Sequence, residues 1–281
     1  IEQRRIAADD ETTSDLAYHA SLAAMEMAGV GPQEIDMIVV GTCTPDLVFP
    51  NVGCLLQRRL GIGGGPAFSV EAACSGFMYA LTTADQFMRT GSIRRALVVG
   101  AETMSRIVDW TDRETCVLFG DGAGAIVIEA ADEPGLIYSS LGADGKYKSL
   151  LYAETGVSKK SLAHDASLIR MKGNEVFKVA VRTLERMVDD VIEKNDLRQD
   201  EIDWFVPHQA NLRIIMATAK RLQIPMERVV LTVAEHGNTS AASVPMALDT
   251  AVRDGRIKRG DLLLLEAFGG GLTWGASLIR Y

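Results

Sequence analysis

The spacing of apolar and polar positions along the chain predicts a mixed α/β protein. Apolar residues three or four apart, as at Leu16, Ala20 and Ala23, predict amphipathic helices, whereas short continuous apolar runs predict buried strands. In the first half the predicted elements are, in order, helix 13–28, strand 36–41, helix 51–60, strand 66–71, helix 75–90, strand 95–101 and strand 123–130. In the second half they are strand 135–143, helix 172–194, strand 202–207, helix 211–222, strand 229–233, helix 240–254, strand 261–267 and strand 272–280. Two long connections, 102–122 and 144–171, carry no periodicity, and loops of this length are usually functional or mobile.

The second half of the chain repeats the order of the first. Two pairs of segments correspond at nearly the same offset: GPQEIDMIVVGTCTP (31–45) with LRQDEIDWFVPHQAN (197–211), and RRALVVGAE (94–102) with KRGDLLLLEA (258–267). Alternating strands and helices predict mostly parallel sheets joined by crossover helices. We therefore predict two pseudo-symmetric α/β halves, 1–134 and 135–281. Only the second half has a strand before its first helix, so we expect the first to lack a strand upstream of Ile1.

Composition narrows the function classes. At 281 residues, of which 47% are hydrophobic, the chain is long enough for one large core or two fused halves. The formal charge of −8 argues against a nucleic-acid partner, because phosphate binding needs concentrated Lys and Arg.

The four cysteines, Cys43, Cys54, Cys74 and Cys116, are spaced for neither a zinc site nor a disulfide framework, which predicts a reducing, cytoplasmic setting. No stretch approaches the ~20 apolar residues of a membrane span, so we expect a soluble protein without a membrane partner.

Cys74 is a candidate nucleophile in the turn between strand 66–71 and helix 75–90. A thiol at a helix N-terminus lies at the positive end of the helix dipole, which is expected to lower its pKa and favour the thiolate. Its small neighbours, Ala73 and Ser75 among them, leave room for an acyl group. For an isolated cysteine, burial in the core is the more common explanation.

Three further candidates each follow a predicted strand: His208, Asn238 and the glycine run 269–271. Alone, Asn238 is explained equally well as a turn or N-cap residue, and the glycines as a tight turn. No phosphate-binding lysine or Rossmann spacing accompanies the glycines, which disfavours a phosphate-binding loop. Such a run lets the backbone approach closely, so one of its N–H groups can face a developing oxyanion.

The position of these four features in the predicted fold is more informative than any one of them. In open α/β sheets, ligands bind at the carboxyl ends of strands, where all four lie. Cys74 and Asn238 are 164 residues apart, close to the offset of the repeat. A pseudo-twofold relation between the halves therefore predicts one crevice that holds a thiol, an imidazole, an amide and a glycine turn.

Six ordered blocks resemble the β-ketoacyl-[acyl-carrier-protein] synthase III family of the thiolase superfamily: EAACSGF (71–77), FGDGAGA (119–125), GNEVFKVAV (173–181), PHQAN (207–211), HGNTSAAS (236–243) and AFGGGLTWG (267–275). This resemblance covers essentially the whole chain. It implies a thiolase-like fold, in which two α/β halves form a five-layered α-β-α-β-α arrangement. It also implies a Cys-His-Asn site that matches Cys74, His208 and Asn238. Asparagine indicates the initiating class, because elongating condensing enzymes of this superfamily carry a second histidine and thiolases a second cysteine.

The reaction implied by the resemblance is a decarboxylative condensation of an acyl-CoA, by default acetyl-CoA, with malonyl-[acyl-carrier-protein], through an acyl group on Cys74. The N–H groups of Cys74 and Gly270 are expected to form the oxyanion hole. His208 and Asn238 are expected to hydrogen-bond the thioester carbonyl as carbon dioxide departs. Neither a metal nor an organic cofactor is expected, since acyl-CoA is a substrate.

The resemblance also implies binding residues outside the catalytic centre. Arg113 is expected near the adenine of coenzyme A, Asn174 on the pantetheine arm, and Phe268 in the substrate site. Phe49 matches a residue that caps the acyl pocket of the partner subunit, which implies a homodimer.

A basic surface on helix 211–222 is a candidate docking site for the acidic acyl carrier protein. It is formed by Arg213, Lys220 and Arg221, and Lys178 is expected to join it. A solvated charged face is the usual explanation of such a pattern.

Two alternative functions are compatible with the same residues. One is a related acyltransferase or hydrolase that uses the same acyl-cysteine. The other is a relative that binds acyl carriers without turnover, which the presence of Cys74, His208 and Asn238 disfavours.

Overall fold

The computed structural model describes residues 1–154, 156–158 and 168–281. The helices of this part of the chain are α1 (Thr13–Ala28), α2 (Val52–Leu60), α3 (Gly76–Arg89), α4 (Gly173–Lys194), α5 (Leu212–Arg221), α6 (Val233–His236) and α7 (Ser243–Arg253). The strands are β1 (Met37–Gly41), β2 (Ala67–Val70), β3 (Arg95–Thr103), β4 (Asp121–Glu129), β5 (Leu136–Ala143), β6 (Leu151–Ala153), β7 (Ile169–Met171), β8 (Trp204–Pro207), β9 (Leu262–Gly269) and β10 (Thr273–Arg280). Apart from strand 229–233, the predicted elements are confirmed to within about three residues at each end.

Helix ends coincide with capping residues in the sequence. At the start of α1, the backbone N–H of Thr12 donates to Oδ2 of Asp15 at 2.7 Å, and the helix ends at Gly29, whose φ is +67°. At the start of α2, the side chain of Asn51 accepts a hydrogen bond from the N–H of Cys54. Such bonds satisfy backbone groups that a helix leaves free at its ends. Short-range chemistry therefore sets where these helices start and stop.

The larger sheets of the described residues have four strands each. Their orders are β2-β1-β3-β4 and β5-β10-β9-β8. β1 runs parallel to β2 and β3, and β8 runs parallel to β9. β4 is antiparallel to β3, and β10 is antiparallel to both β9 and β5. The prediction of mostly parallel sheets is therefore wrong for half of these pairings. For β9 and β10 the reason is that the short turn between them cannot contain a crossover helix.

Helices on both faces of the sheets give five layers. α1 and α2 pack on the outer face of the first sheet, α3 and α7 lie between the sheets, and α4 and α5 cover the outer face of the second. Phe77 of α3, Val244 of α7 and Leu265 of β9 belong to the central core. A β-carbon on Gly41 would lie 2.4 Å from the carbonyl carbon of Gly76, so glycine lets α3 begin directly against the end of β1. The five-layered thiolase-like fold is confirmed.

The predicted strand 229–233 does not form. Val229 makes one isolated parallel bridge with Phe205. The N–H of Thr232 then donates to Oε1 of Gln209 at 2.8 Å. Because this backbone donor is bound to a side chain, the ladder cannot continue, and the chain turns into α6.

The two long predicted connections are partly structured. The first is shortened at both ends by β3 and β4. The second contains the antiparallel strands β6 and β7, and its residues 155 and 159–167 lie outside the described chain. The division into halves 1–134 and 135–281 stays a prediction, as does the strand expected upstream of the first half.

Candidate active site

The predicted catalytic residues lie together around the turn before α7. Cys74 follows β2 at the start of α3, His208 follows β8, and Asn238 lies between α6 and α7. The turn that holds Cys74 packs against the turn that begins at Ser240, and the N–H of Ser240 donates to Oδ1 of Asn238 at 2.9 Å. Three residues further on, Ser243 places its Oγ 2.5 Å from Nδ1 of His208. The turn before α7 therefore brings these three residues into one region of the structure.

The turn that carries Cys74 has a strained backbone. Ala73 has a φ of +47°, a left-handed conformation that residues with a β-carbon rarely adopt. Ser75 Oγ donates to the carbonyl of Thr273 at 3.0 Å, and Thr273 Oγ1 donates to the carbonyl of Ala72 at 2.8 Å. These two bonds tie the nucleophile turn to β10 and hold it in this conformation.

The surroundings of Cys74 oppose the thiolate. Burial raises the pKa of the Cys74 thiol to about 12, although its hydrogen bond with Ser240 acts in the opposite direction, and the nearby Glu102 raises the pKa further. The expectation that the helix N-terminus lowers the pKa of Cys74 is therefore wrong for the free protein, because removal from water outweighs it. Cys74 is a neutral thiol at pH 7.

Glu102 is a buried carboxyl beside Cys74 that the sequence reasoning missed. Its oxygens accept hydrogen bonds from donors in both halves of the chain: the hydroxyls of Thr42, Thr44 and Ser240, and the N–H groups of Cys43 and Thr44. The carboxyl therefore joins the loop after β1 to the turn before α7. The signal in the sequence was an acidic residue at the end of the apolar run RRALVVGAE, since buried acids need several hydrogen-bond donors.

Asn238 is oriented by backbone groups on both sides. Because its Oδ1 accepts from Ser240, its Nδ2 is left to donate to a substrate. Its own N–H donates to the carbonyl of Leu118 at 2.8 Å, and its carbonyl accepts from the N–H of Gly120 at 3.0 Å. The connection between β3 and β4 therefore holds the asparagine in place.

His208 is buried and uncharged. Burial lowers the pKa of its imidazole to about 3. The backbone N–H of His208 donates to the carbonyl of Glu266 at 2.7 Å. The neighbouring Gln209 donates from Nε2 to the carbonyls of Pro207 and Val230, at 2.8 and 3.1 Å. These bonds immobilise the backbone that carries the imidazole.

The glycine run packs directly on the nucleophile turn. A β-carbon on Gly269 would lie 2.6 Å from the backbone nitrogen of Cys74, and one on Gly270 would lie 3.2 Å from the carbonyl oxygen of Leu151. Only glycine fits at the first of these positions. The oxyanion hole of Cys74 and Gly270 stays a prediction.

A small cavity of about 20 Å³ lies beside His208. Phe268, a predicted substrate-site residue, lines it together with Ala210 and Glu266. Oε2 of Glu266 has no hydrogen-bond partner among the described residues, and burial raises the pKa of this carboxyl to about 8. Sequence reasoning missed Glu266, although it ends the apolar run KRGDLLLLEA as Glu102 ends the earlier one.

The other predicted substrate residues lie on the surface. Arg113 is exposed in the connection between β3 and β4, and Asn174 is exposed in the first turn of α4. Phe49, between β1 and α2, is 83% exposed. Their contacts with coenzyme A or a partner subunit stay predictions.

The four predicted docking residues are all exposed, namely Lys178, Arg213, Lys220 and Arg221. Arg221 differs from the rest because its Nη2 donates to both carboxylate oxygens of Asp189, at 2.7 and 2.6 Å. Part of its charge is therefore already neutralised within the chain.

The described ranges contain neither a group of side chains that could hold a metal ion nor a helix that could span a membrane. Nowhere in them do three or more His, Cys, Asp or Glu side chains form a group that could hold a metal ion. None of their helices is long and apolar enough to cross a bilayer. The four cysteines are free thiols.

Known proteins match this chain over its full length. The family model for 3-oxoacyl-[acyl-carrier-protein (ACP)] synthase III matches residues 68–145, and the model for the C-terminal part of that synthase matches residues 192–281. The chain is 61% identical to the β-ketoacyl-[acyl-carrier-protein] synthase III of Thioalkalivibrio sulfidiphilus, covering 100% of this chain and 88% of the relative. It is also 61% identical to the synthase of the same name from Xanthomonas campestris, covering 100% and 87%.

Solved structures agree with these matches. The 3-oxoacyl-[acyl-carrier-protein] synthase III of Aquifex aeolicus has a TM-score of 0.94 and 46% identity, covering 100% of this chain and 88% of that one. The corresponding protein of Pseudomonas aeruginosa has a TM-score of 0.91 and 39% identity, covering 99% and 86%. The chain therefore belongs to the β-ketoacyl-[acyl-carrier-protein] synthase III family, the condensing enzymes that initiate fatty-acid synthesis.

Proposed function

We propose that Cys74, His208 and Asn238 condense an acyl-CoA, by default acetyl-CoA, with malonyl-[acyl-carrier-protein]. The observation that carries this proposal is the convergence of a buried thiol, an imidazole and an oriented amide on the turn before α7. The thiol comes from the first half of the chain and the other two groups from the second. This arrangement supports a two-step reaction that passes through an acyl-cysteine.

The first step is acyl transfer to Cys74. The sulfur attacks the thioester carbonyl, the bond from that carbon to the sulfur of coenzyme A breaks, and the thiol proton ends on the departing sulfur. Because the resting thiol is neutral, loss of its proton belongs to the same step as the attack. The N–H groups of Cys74 and Gly270 stabilise the oxyanion that forms in between.

The second step is decarboxylation followed by carbon–carbon bond formation. The malonyl carboxylate leaves as carbon dioxide, and its electron pair forms an enolate on the thioester. Nε2–H of His208 and Nδ2–H of Asn238 donate to the enolate oxygen. The enolate carbon attacks the acyl group, the bond to the sulfur of Cys74 breaks, and that sulfur takes up a proton from solvent. No metal or organic cofactor takes part in either step.

Substrate delivery involves residues at the rim of the site. Arg113 and Asn174 are exposed and free to meet the adenine and the pantetheine arm of coenzyme A, and Phe268 lines the cavity beside His208. These positions support an arm that enters between α4 and the connection between β3 and β4.

The carrier protein docks on α5. Exposed Arg213 and Lys220 lie beside the exposed apolar side chains of Leu212 and Met216. A mixed basic and apolar surface suits a strongly acidic partner. Lys178 on α4 extends this surface, whereas Arg221 contributes less because it is paired with Asp189.

The protein acts as a homodimer in which Phe49 reaches the acyl pocket of the partner subunit. Support comes from the exposed apolar run Leu47, Val48 and Phe49, whose side chains are 49%, 68% and 83% exposed. A contiguous apolar segment of this kind is typical of an interface.

The function is tested by incubating the purified protein with acetyl-CoA and malonyl-[acyl-carrier-protein] and separating the carrier species by mass. A β-ketoacyl carrier product supports the proposal. Acyl exchange between thioesters without condensation would indicate the acyltransferase alternative, and release of free acetate would indicate a hydrolase. Carrier binding without any turnover would indicate a non-catalytic relative.

A further inference from the structure

The hydrogen bonds around Ser243 bear on which nitrogen of His208 carries the proton. Oγ of Ser243 lies 2.5 Å from Nδ1 of His208. Both side chains are buried, with exposures of 1% for Ser243 and 6% for His208. Either atom of this pair can be the donor, and the choice decides what Nε2 offers to a substrate.

The second partner of Ser243 settles the choice. The backbone N–H of Gln209 donates to the same Oγ at 3.3 Å, so one lone pair of the oxygen is used. For the serine proton, Nδ1 of His208 is the acceptor found within the described ranges. If Nδ1 were itself protonated, the buried serine proton would have no acceptor, which costs about 1–3 kcal/mol.

The side chain of Gln209 makes four hydrogen bonds, which anchor the residue whose backbone N–H donates to Ser243. Its Nε2 donates to two carbonyls, and its Oε1 accepts the N–H groups of Thr232 and Val233 at 2.8 and 3.1 Å. The residue that donates to Ser243 is therefore held in place by the backbone groups around it.

We propose that Ser243 is a positioning residue that holds His208 as the neutral tautomer with its proton on Nε2. The serine hydroxyl donates to Nδ1, and Nε2–H is thereby directed to the thioester oxygen of the malonyl substrate. This inference rests on the role of His208 in the proposed function.

The tautomer matters because the imidazole cannot become a donor by taking up a second proton. Burial lowers the pKa of His208 to about 3, so the ring stays neutral at pH 7. In the other tautomer, Nε2 would turn a lone pair toward the developing enolate oxygen, and one of the two donors to that oxygen would be replaced by a repulsive contact.

The proposal is tested by ¹⁵N-histidine NMR of the full protein, with the signal of His208 assigned by its loss in His208→Asn. The expected wild-type spectrum has a pyrrole-type Nε2 and a pyridine-type Nδ1. In Ser243→Ala, we expect either a mixture of the two tautomers or a pyrrole-type Nδ1 with a pyridine-type Nε2. Ser243→Thr keeps the hydroxyl and is expected to restore the wild-type pattern.

Kinetics complete the test. Ser243→Ala is expected to lower the kcat of condensation about 10- to 100-fold, with formation of the acyl-enzyme from acetyl-CoA unchanged within about twofold. Thr250→Ala, which removes a hydroxyl bonded to the Met246 carbonyl on the same helix, is the matched control and should change neither readout.

The outcomes separate this inference from the function on which it rests. A pyrrole-type Nδ1 in the wild-type protein would overturn the role of Ser243 whatever the kinetics. A tautomer change in Ser243→Ala with condensation unchanged would instead contradict the role of His208 as the donor. Loss of acyl-enzyme formation in Ser243→Ala would overturn the inference as well, since the serine would then act on Cys74.

Discussion

Two buried glutamates lie on inner strands of the two larger sheets and have opposite surroundings. Glu102 on β3 and Glu266 on β9 are 164 residues apart, the same separation as between Cys74 and Asn238. Both carboxyls are fully removed from water, and burial raises the pKa of each. For Glu102, hydrogen bonds from Thr44 and other donors oppose this rise. For Glu266, burial acts alone, and one oxygen has no partner among the described residues.

The difference between the two carboxyls suggests a division of labour between the two steps of the proposed reaction. In the first half, the carboxyl organises the loops around the nucleophile Cys74. In the second half, the carboxyl of Glu266 is a neutral group beside His208, where a negative charge would oppose formation of an enolate. We therefore expect the first half to carry acyl transfer and the second to carry decarboxylation, and the following variants test that division.

The largest effect is expected for Cys74→Ser. A serine hydroxyl is a far weaker nucleophile than a thiol, so acyl-enzyme formation and condensation should both fall at least about 1,000-fold. Intact-protein mass spectrometry after addition of acetyl-CoA measures the adduct. Cys54→Ser, a change at another free thiol, is the control. A full adduct on the Cys74→Ser protein would mean that another residue is the nucleophile.

Asn238→Ala is expected to separate the two steps. The acyl-enzyme should still form, while condensation should fall about 100- to 1,000-fold, because one donor to the enolate oxygen is removed. The adduct mass and the yield of β-ketoacyl carrier give both quantities from one preparation. If the adduct also disappeared, the assignment of one step to each half would be wrong.

Glu102→Ala is expected to destabilise the fold by about 3–5 kcal/mol, since several buried donors lose their acceptor at once. Glu102→Gln keeps the shape and one acceptor oxygen, so a smaller loss is expected. Urea unfolding measures both. Equal stability of the alanine variant and the wild type would show that these donors find other acceptors, and would remove the contrast with Glu266.

Glu266→Gln is expected to have the smallest effect and the opposite sign. A carboxyl whose pKa is about 8 when folded and 4.5 in its ordinary state retains its proton in the native protein while the unfolded chain loses it. The wild type should therefore lose stability as pH rises from 4.5 to 8, and the glutamine variant should not. At pH 8 the variant should therefore be the more stable of the two proteins.

The pH dependence of Glu266→Gln has a matched control. Glu227→Gln removes one carboxyl from an exposed position and should leave the slope of stability against pH unchanged. Urea unfolding at pH 5 and pH 8 compares the three proteins. A slope in Glu266→Gln as steep as that of the wild type would show that another group titrates, and the two glutamates would then be less different than the structure indicates.

Most secondary structure could be predicted because its signals are local. The capping residues Thr12 and Asn51 mark the starts of α1 and α2, and continuous apolar runs mark the buried strands. Strand 229–233 failed for a non-local reason: Gln209, more than 20 residues away in the chain, binds the N–H of Thr232. A pattern of apolar residues does not show that a distant side chain takes a backbone donor.

The candidate site, like the fold, could be predicted from the sequence only in part. Cys74, His208 and Asn238 could be proposed from the sequence because each is a polar or reactive residue type at the end of a predicted strand, and their roles stay predictions. The expected lowering of the pKa of Cys74 was wrong, since a helix N-terminus is visible in the sequence but the depth of burial is not. Ser240 and Ser243 gave no signal, because serines are common at turns and helix starts.

By itself, the sequence determined the order of elements and the residue types that are candidates for the site, because these depend on local spacing and on chemistry carried by single side chains. Only the tertiary structure decided the protonation of those residues. Whether a thiol, an imidazole or a carboxyl is charged depends on how much water reaches it and on which donors surround it, and those neighbours come from distant parts of the chain. Glu102 and Glu266 both lie on inner strands of the larger sheets, yet the packing around each gives the two carboxyls different surroundings.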